Sequence, residues 1–306
     1  MGSTVLVTND SIYGFGSNSD NIFGQGVVAT SKPVKLSQKP VDDAVVSFSF
    51  HSRKFYTLSL QNNKLSQNFD DDVLILDENE SIIRIYSALG LDLVQTNQNL
   101  YFRGACDEAF CSVSELGEIY SWYVEEWTKM LLPFSASDIQ QIKLQQQGVL
   151  FLLHNHSVFA MGSNIYGRFC VEYNVHMTLH VPTHILNDVQ HIALGQYTTF
   201  FSVQNELYQC GSPTLQTLEN DWFDGSEAKF VKRFKQIEQI EAAAQAVFVI
   251  DQGKIFIKGV QDEESYVGDE DGYEDWEEPY IEGKIHRIYA GNGGTVMWGE
   301  GERIKE

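Results

Sequence analysis

Val158-Phe-Ala-Met-Gly-Ser-Asn-Ile-Tyr-Gly-Arg-Phe169 decides how this chain is read. An apolar-aromatic pair closes on Gly162, and a polar stretch spaced by glycine follows. The same core recurs as Ile12-Tyr-Gly-Phe-Gly16, Leu100-Tyr-Phe-Arg-Gly104, Leu207-Tyr-Gln-Cys-Gly211 and Ile255-Phe-Ile-Lys-Gly259. Ile119-Tyr-Ser-Trp-Tyr123 is a copy without the glycine. The clearest copies start at 158, 207 and 255, so they repeat after 49 and then 48 residues. Upstream of most copies lies a second apolar run and then a polar turn. His191–Val203 precedes Gln204-Asn205, Ala243–Ile250 precedes Asp251-Gln-Gly253, and Val45–Leu60 precedes Asn62-Asn63.

A strand, a tight polar turn and a second strand make a hairpin. A glycine after the second strand lets the backbone turn sharply or approach a neighbour. One such unit cannot bury both faces of its sheet, so neighbouring units must stack. Few windows keep the spacing of an amphipathic helix, whereas short β-rich runs such as Thr4–Val7, Ile82–Tyr86 and Val149–Leu153 recur throughout. Many short strands at regular spacing mean an all-β sandwich, barrel or propeller; the expected fold, with the family resemblance given below, is a single β-propeller over residues 1–306, in which ring closure protects the edges. Hairpin candidates at 12, 64, 100, 119, 158, 207 and 255 give about seven blades, or six with a degenerate one. The N-terminal run Thr4–Val7 is expected to pair with late-chain strands and close the ring. Residues 260–283 read as an acidic loop inserted between two strands of the last unit.

The chain has 306 residues, 21 Lys+Arg against 42 Asp+Glu, and a formal charge of −21. With 43% hydrophobic residues it has material for a core, which excludes a disordered or collagen-like chain. No run approaches the length of a membrane span. Met1–Thr4 lacks a basic region followed by an apolar one, so no secretory signal is expected. Cys106, Cys111, Cys170 and Cys210 form no CxxC and are expected as free thiols in a reducing compartment, the cytoplasm or nucleus. A charge of −21 repels polyphosphates and disfavours direct nucleic-acid binding, while it favours a partner with a basic surface.

The acidic loop is the first candidate site. Asp262, Glu263, Glu264, Asp269, Glu270, Asp271, Glu277 and Glu278 are interleaved with Tyr266, Tyr273 and Trp276. Aromatic rings give contact area and carboxylates select Lys or Arg, so the loop reads either as a solvated charge run or as a partner-binding segment. Asp269-Glu-Asp-Gly272 places its glycine too early for an EF-hand. His176, His180, His184 and His191 would share a face on a helix, but Pro182 argues against one there. No Gly-x-Ser-x-Gly, no catalytic cysteine signature and no P-loop occurs. No catalytic residue, metal or cofactor is therefore expected. Arg103, Arg168 and Arg287 stand out as cations in a negative chain. Arg168 is either a hydrogen-bonding residue between blades or a partner contact.

Ile12–Ser19 followed by Phe23-Gly-Gln-Gly26, and Val158–Phe169 with Val181-Pro-Thr-His-Ile185, resemble the repeat of the regulator-of-chromosome-condensation propeller family. Val189-Gln-His-Ile-Ala-Leu-Gly195 and Ile285-His-Arg-Ile-Tyr-Ala-Gly291 resemble that family's strand ending in glycine before the next hairpin. On this resemblance Gly16, Gly104, Gly162, Gly195, Gly211, Gly259 and Gly291 are structural repeat positions. The resemblance implies a rigid platform whose loops bind a partner protein. It also implies, as alternatives, guanine-nucleotide exchange on a small GTPase or association with chromatin and histones. A small acidic propeller of this length is also similar to the accessory propeller of the Elongator and diphthamide pathways, which implies a small zinc protein as partner.

Overall fold

The computed structural model describes residues 3–7, 12–16, 30–37, 43–48, 53–59, 64–67, 74, 76, 79–88, 91–105, 123–145, 148–164, 167–172, 178–211, 227–242, 246–259, 276, 278, 284–291 and 294–300. They form antiparallel sheets built from strands consecutive in the chain. The first is β1 (Ser3–Val7), β2 (Ile12–Gly16) and β3 (Thr30–Ser37). The second is β4 (Asp43–Phe48), β5 (Arg53–Ser59) and β6 (Lys64–Gln67). Four-stranded sheets follow: β7 (Ile82–Ala88), β8 (Leu91–Thr96), β9 (Leu100–Ala105) and β10 (Tyr123–Lys129), then β11 (Ile139–Gln145), β12 (Gly148–Leu153), β13 (Val158–Ser163) and β14 (Thr178–Leu186). The next holds β15 (His191–Leu194), β16 (Thr198–Val203), β17 (Glu206–Gly211) and β18 (Lys229–Arg233). Then come β19 (Ile237–Ala242), β20 (Ala246–Asp251) and β21 (Lys254–Gly259), and last the pair β22 (Lys284–Gly291) and β23 (Gly294–Glu300). No helix among the described residues is long and apolar enough to cross a membrane.

The polar turns are hairpin turns, as their sequences require. Val203 pairs with Glu206 across Gln204 and Asn205, whose φ values are 50° and 65°. Asp251 pairs with Lys254 across Gln252 and Gly253, at 52° and 75°. Two consecutive positive φ values match the right-handed twist of the strands that such a turn joins.

Contacts gather the chain into two compact units, Met1–Gln147 with His180–Pro182 and Gly148–Leu179 with Thr183–Glu306. In the first, Ile82, Ile85, Val94 and Tyr101 form a core against which Leu74, Leu76 and Trp127 pack. In the second, strand alternation sorts side chains between neighbouring sheets. Phe201, Ile192 and Leu194 join Leu150, Leu152 and Val158 of the preceding sheet. Phe200, Ala193 and Leu207 point the other way and join Ile237, Ile240 and Val249 of the following one. Phe248 and Ile250 meet Ile285 and Ile288 of β22. Each fully buried Phe, Ile or Leu contributes roughly 1.5–3 kcal/mol, so sheet stacking supplies most of the stabilisation.

Polar side chains then fasten one sheet to the next at strand ends. Gln95 Nε2 donates to the Ala136 and Ile139 carbonyls at the entrance to β11. Asn205 Oδ1 accepts from Ile237 N–H, and His156 Nδ1 lies 3.0 Å from the Val189 carbonyl. The Gln239 amide donates to the Ile288 carbonyl and accepts from Ile288 N–H at 2.7 and 3.0 Å. Each bond ties a backbone group to a side chain of the preceding sheet or its turn.

Two sequence expectations are corrected here. The N-terminal strand β1 pairs with β2 in its own sheet, Ser3 opposite Gly16 and Val7 opposite Ile12, and no pairing with a late strand occurs among the described residues. Of the copy at 119, residues 119–122 lie outside the described residues; its last residue, Tyr123, does not open a hairpin but begins β10, the fourth strand of the sheet started by β7, and pairs with Ala105. Its aromatic composition serves a sheet edge equally well, and pairing rather than composition assigns the role. Pro182 lies within β14, the outermost strand of its sheet, where no ladder bond is demanded of its nitrogen.

Candidate functional site

Five of the seven repeat glycines share one position. Gly16, Gly104, Gly162, Gly211 and Gly259 end β2, β9, β13, β17 and β21 or stand one residue before the end. Each lies opposite the first residue of the preceding strand: Ser3, Leu91, Gly148, Thr198 and Ala246. Gly195 lies just after β15, donating to the Thr198 carbonyl at 2.8 Å, and Gly291 faces Gly294 across the last hairpin. At Gly211 the need for glycine is twofold. Its φ of 85° is left-handed, and an added Cβ would overlap the Tyr197 carbonyl oxygen and lie 2.9 Å from Arg168 Cα.

The connection after Gly162 explains the Gly-Ser-Asn element. Buried Asn164 donates through Nδ2 to the Val171 carbonyl and accepts through Oδ1 from Phe169 N–H, both at 2.9 Å. These bonds bring Phe169 and Val171 back onto Asn164, so that residues 167–171 form an arch beside it. Arg168, 2% exposed, points inward from it. Its Nε donates to the Ser163 carbonyl at 2.6 Å and its Nη1 to the Gln196 carbonyl at 2.8 Å. The guanidinium carbon lies 4.7 Å from the centroid of the Phe169 ring. Arg168 thus joins its own sheet to the connection between β15 and β16, which settles it as a hydrogen-bonding residue between sheets.

The expectation of four free thiols is corrected at the same place. Cys170 on this arch and Cys210 near the end of β17 form a disulfide, with Cα atoms 5.2 Å apart and 40 residues between them in sequence. Topology, not spacing, brings them together. Cys106 and Cys111 lie outside the described residues.

Of the acidic stretch, Asp262, Glu263, Glu264, Tyr266, Asp269, Glu270, Asp271, Tyr273 and Glu277 lie outside the described residues. Trp276 and Glu278 are described; Glu278 reaches Lys254 of β21 and Trp276 reaches Phe234. Glu278 Oε1 accepts from Lys254 Nζ at 2.5 Å. The half-buried Trp276 ring meets Phe234 edge-on, with centroids 5.4 Å apart, and joins the core that includes Phe256. Lys232 Nζ lies 5.7–5.9 Å from the ring centroids of Phe234, Phe256 and Trp276. At such distances the ring quadrupoles attract the ammonium. β21 ends at Gly259 ahead of the acidic stretch, and at the far end Glu278 pairs with Lys254 of the same strand. The stretch falls between β21 and β22, two different sheets, and not between two strands of one unit.

A second charged group lies on β17 and β18. Tyr208 Oη donates to Glu206 Oε2 at 2.7 Å, and Arg233 Nε donates to Oε1 at 2.8 Å. The tyrosine hydrogen bond foremost, and then the guanidinium, hold the Glu206 carboxyl below its usual range. The same bond to a carboxylate raises the Tyr208 phenol.

The histidines make no metal site among the described residues: no group of three or more His, Cys, Asp or Glu is placed to hold an ion. His180 and His184 lie on β14 and His191 opens β15, while His176 is outside the described residues. Sequence reading missed two features. Buried Glu80 accepts from Thr96 Oγ1, from Asn99 Nδ2 at 3.0 Å and from Tyr101 Oη at 2.8 Å, and nothing local in the sequence marks it. Lys229-Phe-Val-Lys-Arg-Phe-Lys235 does carry a signal, four cations in seven positions of an acidic chain.

No protein-family model matches the chain, and no curated protein matches it in sequence. Solved structures do. Human WBSCR16 superposes with a TM-score of 0.69 at 13% identity, covering 98% of this chain and 85% of that one. Prp20p of Saccharomyces cerevisiae, described with its binding properties to Gsp1p and histones, superposes with a TM-score of 0.70 at 14% identity, covering 97% and 80%. Yeast RCC1 (Prp20) bound by Kap60 superposes at 0.66 and 14%, covering 96% and 77%. The chain has the fold of these proteins, the all-β propeller of the regulator-of-chromosome-condensation type.

Proposed function

We propose that this chain is a non-catalytic interaction platform, a regulatory subunit that binds a partner protein through connections between its propeller strands. The seven sheets among the described residues support a single seven-bladed domain over residues 1–306. The observation that carries the binding role is the anchoring of the acidic stretch. Glu278 pairs with Lys254 of β21, Trp276 packs on Phe234, and β21 ends at Gly259, so both ends of the stretch lie against described strands. Such a segment, with Tyr266 and Tyr273 among its acids, offers area and charge to a basic protein surface. The structural likeness to Prp20p supports the kind of partner, since Gsp1p, histones and Kap60 are all proteins. Guanine-nucleotide exchange on a small GTPase is the second reading, carried by the same likeness. Exchange needs only differential binding to the nucleotide-free state and no acid-base residue. The cytoplasm or nucleus is the proposed location.

The test compares the tagged full chain with a variant lacking residues 262–274, which keeps Trp276 and Glu278. Capture from a native lysate is followed by titration of the purified partner. A stoichiometric partner with a basic surface, lost on deletion and without accelerated release of labelled nucleotide, supports the platform reading. Accelerated release turns the reading to exchange. An unchanged partner and affinity after deletion would falsify the role of the acidic stretch.

A further inference from the structure

One ammonium of this acidic chain faces three aromatic rings. Lys232 lies on β18, and Phe234 follows just past the end of that strand. Phe256 comes from β21 of the following sheet, and Trp276 from the end of the acidic stretch. Phe234 stands at steep angles to both, 65° to Phe256 and 87° to Trp276, with centroids 5.5 and 5.4 Å away. The rings thus form the walls of a corner. Lys232 Nζ lies over all three, at 5.8, 5.9 and 5.7 Å from Phe234, Phe256 and Trp276. Phe234 is buried, whereas Lys232, Phe256 and Trp276 are half-buried.

These distances suit a methylated ammonium better than a bare one. Arg168 brings its guanidinium carbon to 4.7 Å from the Phe169 centroid, whereas the nearest ring to Lys232 Nζ is 5.7 Å away. A methyl carbon lies about 1.5 Å from its nitrogen, so one aimed at a wall would come to about 4.3 Å from the centroid, close to the optimal carbon contact of about 3.5–4.0 Å. Each wall therefore leaves room for one methyl group. The partners point the same way. A bare ammonium carries three strongly hydrated N–H donors, and ring faces accept them only weakly. Lys254 meets this demand with the Glu278 carboxylate. Among the described residues no carboxylate pairs with Lys232, although the chain holds 42 Asp and Glu. Methylation keeps the charge that the rings attract and exchanges N–H donors for apolar surface.

We propose that Lys232 is a methylation site, and that Phe234, Phe256 and Trp276 are the aromatic cage that holds its methylated ammonium. The methyl group comes from a sulfonium donor carried by a protein methyltransferase. The Lys232 ammonium gives one proton to solvent, and the free amine attacks the methyl carbon. The N–C bond forms, the S–C bond breaks, and the sulfonium leaves as a thioether. The nitrogen is cationic again, and two further rounds, each releasing one proton, set three methyl groups against three rings. Acetylation does not fit this site, because it removes the charge. Trp276 lies at the end of the acidic stretch, so methylation fastens that end against Phe234. The site stands whether or not the stretch binds a partner.

Accurate-mass peptide analysis of the full chain purified from its native cells checks the modification. Methyl groups on Lys232, with Lys229 and Lys235 bare, are expected. An unmodified Lys232, an acetyl group there, or methyl groups spread evenly over the three lysines overturns the proposal. The cage is read separately, on the full chain carrying Lys232→Cys with Cys106→Ser and Cys111→Ser. Alkylation with bromoethyl-trimethylammonium builds a trimethylated lysine analogue at position 232, and bromoethylamine builds the bare one. The trimethylated product is expected to melt about 2 °C above the bare one. A neutral dimethylbutyl group of the same shape is expected to fall short of it. Phe256→Leu and Trp276→Leu, which keep apolar volume and remove a ring, are each expected to shrink the difference. Three results overturn the cage. The trimethylated product melts no higher than the bare one, the neutral group does as well as the cation, or both leucine variants keep the full difference.

Discussion

Replacing Arg168 with alanine tests how the sheets of the second unit are held together. The side chain is 2% exposed, and its guanidinium donates to the carbonyls of Ser163 and Gln196. Hydrogen bonds with a charged donor contribute about 1.5–3 kcal/mol each, and a buried acceptor left alone also carries its desolvation cost. Removing the side chain further leaves a void beside Phe169 and Gly148, where an added Cβ on Gly148 would already lie 2.9 Å from Arg168 Cζ. Because water can enter the void and reach the carbonyls, the full sum is not realised. The expected loss is about 4 kcal/mol, a large part of a typical domain's 5–15 kcal/mol. Equilibrium urea unfolding followed by circular dichroism and tryptophan fluorescence reads it as a lowered midpoint at unchanged slope. Arg168→Lys keeps the charge and loses the planar fork, so it should recover less than half of the difference. The reasoning fails if Arg168→Ala unfolds within about 0.5 kcal/mol of the wild type, the range of an ordinary surface substitution. It fails equally if the variant keeps its stability and loses its partner, which would make Arg168 a contact surface.

Two more expectations follow from named geometry. Gly211→Ala should lower stability by about 2–4 kcal/mol, since a left-handed φ costs roughly 1–2 kcal/mol and the overlap with the Tyr197 carbonyl adds to it. Thermal melts check this, and a variant that melts with the wild type would show that the strand end can shift freely. In a spectrophotometric titration, Tyr208 should ionise above the ordinary phenol range, because its proton is shared with an ionised Glu206. Glu206→Gln removes the negative charge, so the phenol should return toward its usual value; Tyr208→Phe identifies its contribution to the absorbance change, and an identical curve for Glu206→Gln would dismiss the coupling.

The hairpins were legible because short-range rules set them. Asn205 and Gly253 are residue types that tolerate positive φ, each following a Gln that adopts it in the turn, and the flanking runs alternate with period two. That alternation also foretells that adjacent residues such as Phe200 and Phe201 enter different cores. What depends on pairing was not legible. Tyr123 ends a motif copy in sequence but begins a fourth strand in space, because Ala105 is its partner. Cys170 and Cys210 carry no spacing signal, since their approach follows from two sheets packing face to face. The two readings of Arg168 could be separated only by knowing what its guanidinium faces. The Lys229–Lys235 run was visible as composition, but its place on an outer strand was not.

The stacking of sheets explains where such features can arise. β8, β12 and β16 are buried almost throughout, because each lies inside its sheet with both faces against neighbours. A charge placed there is desolvated and needs a partner. β14 and β18, the outer strands of two of these sheets, tolerate His180, His184, Phe230 and Arg233 in exposed positions. The connections that reach these strands begin at the repeat glycines, where the turn geometry is set by Gly162 and Gly211 and the length that follows is free to vary. Acidic and basic surfaces can therefore be added to neighbouring sheets with little cost to the core. The pairing of Glu278 with Lys254 shows that this chain already matches the two kinds of surface against each other.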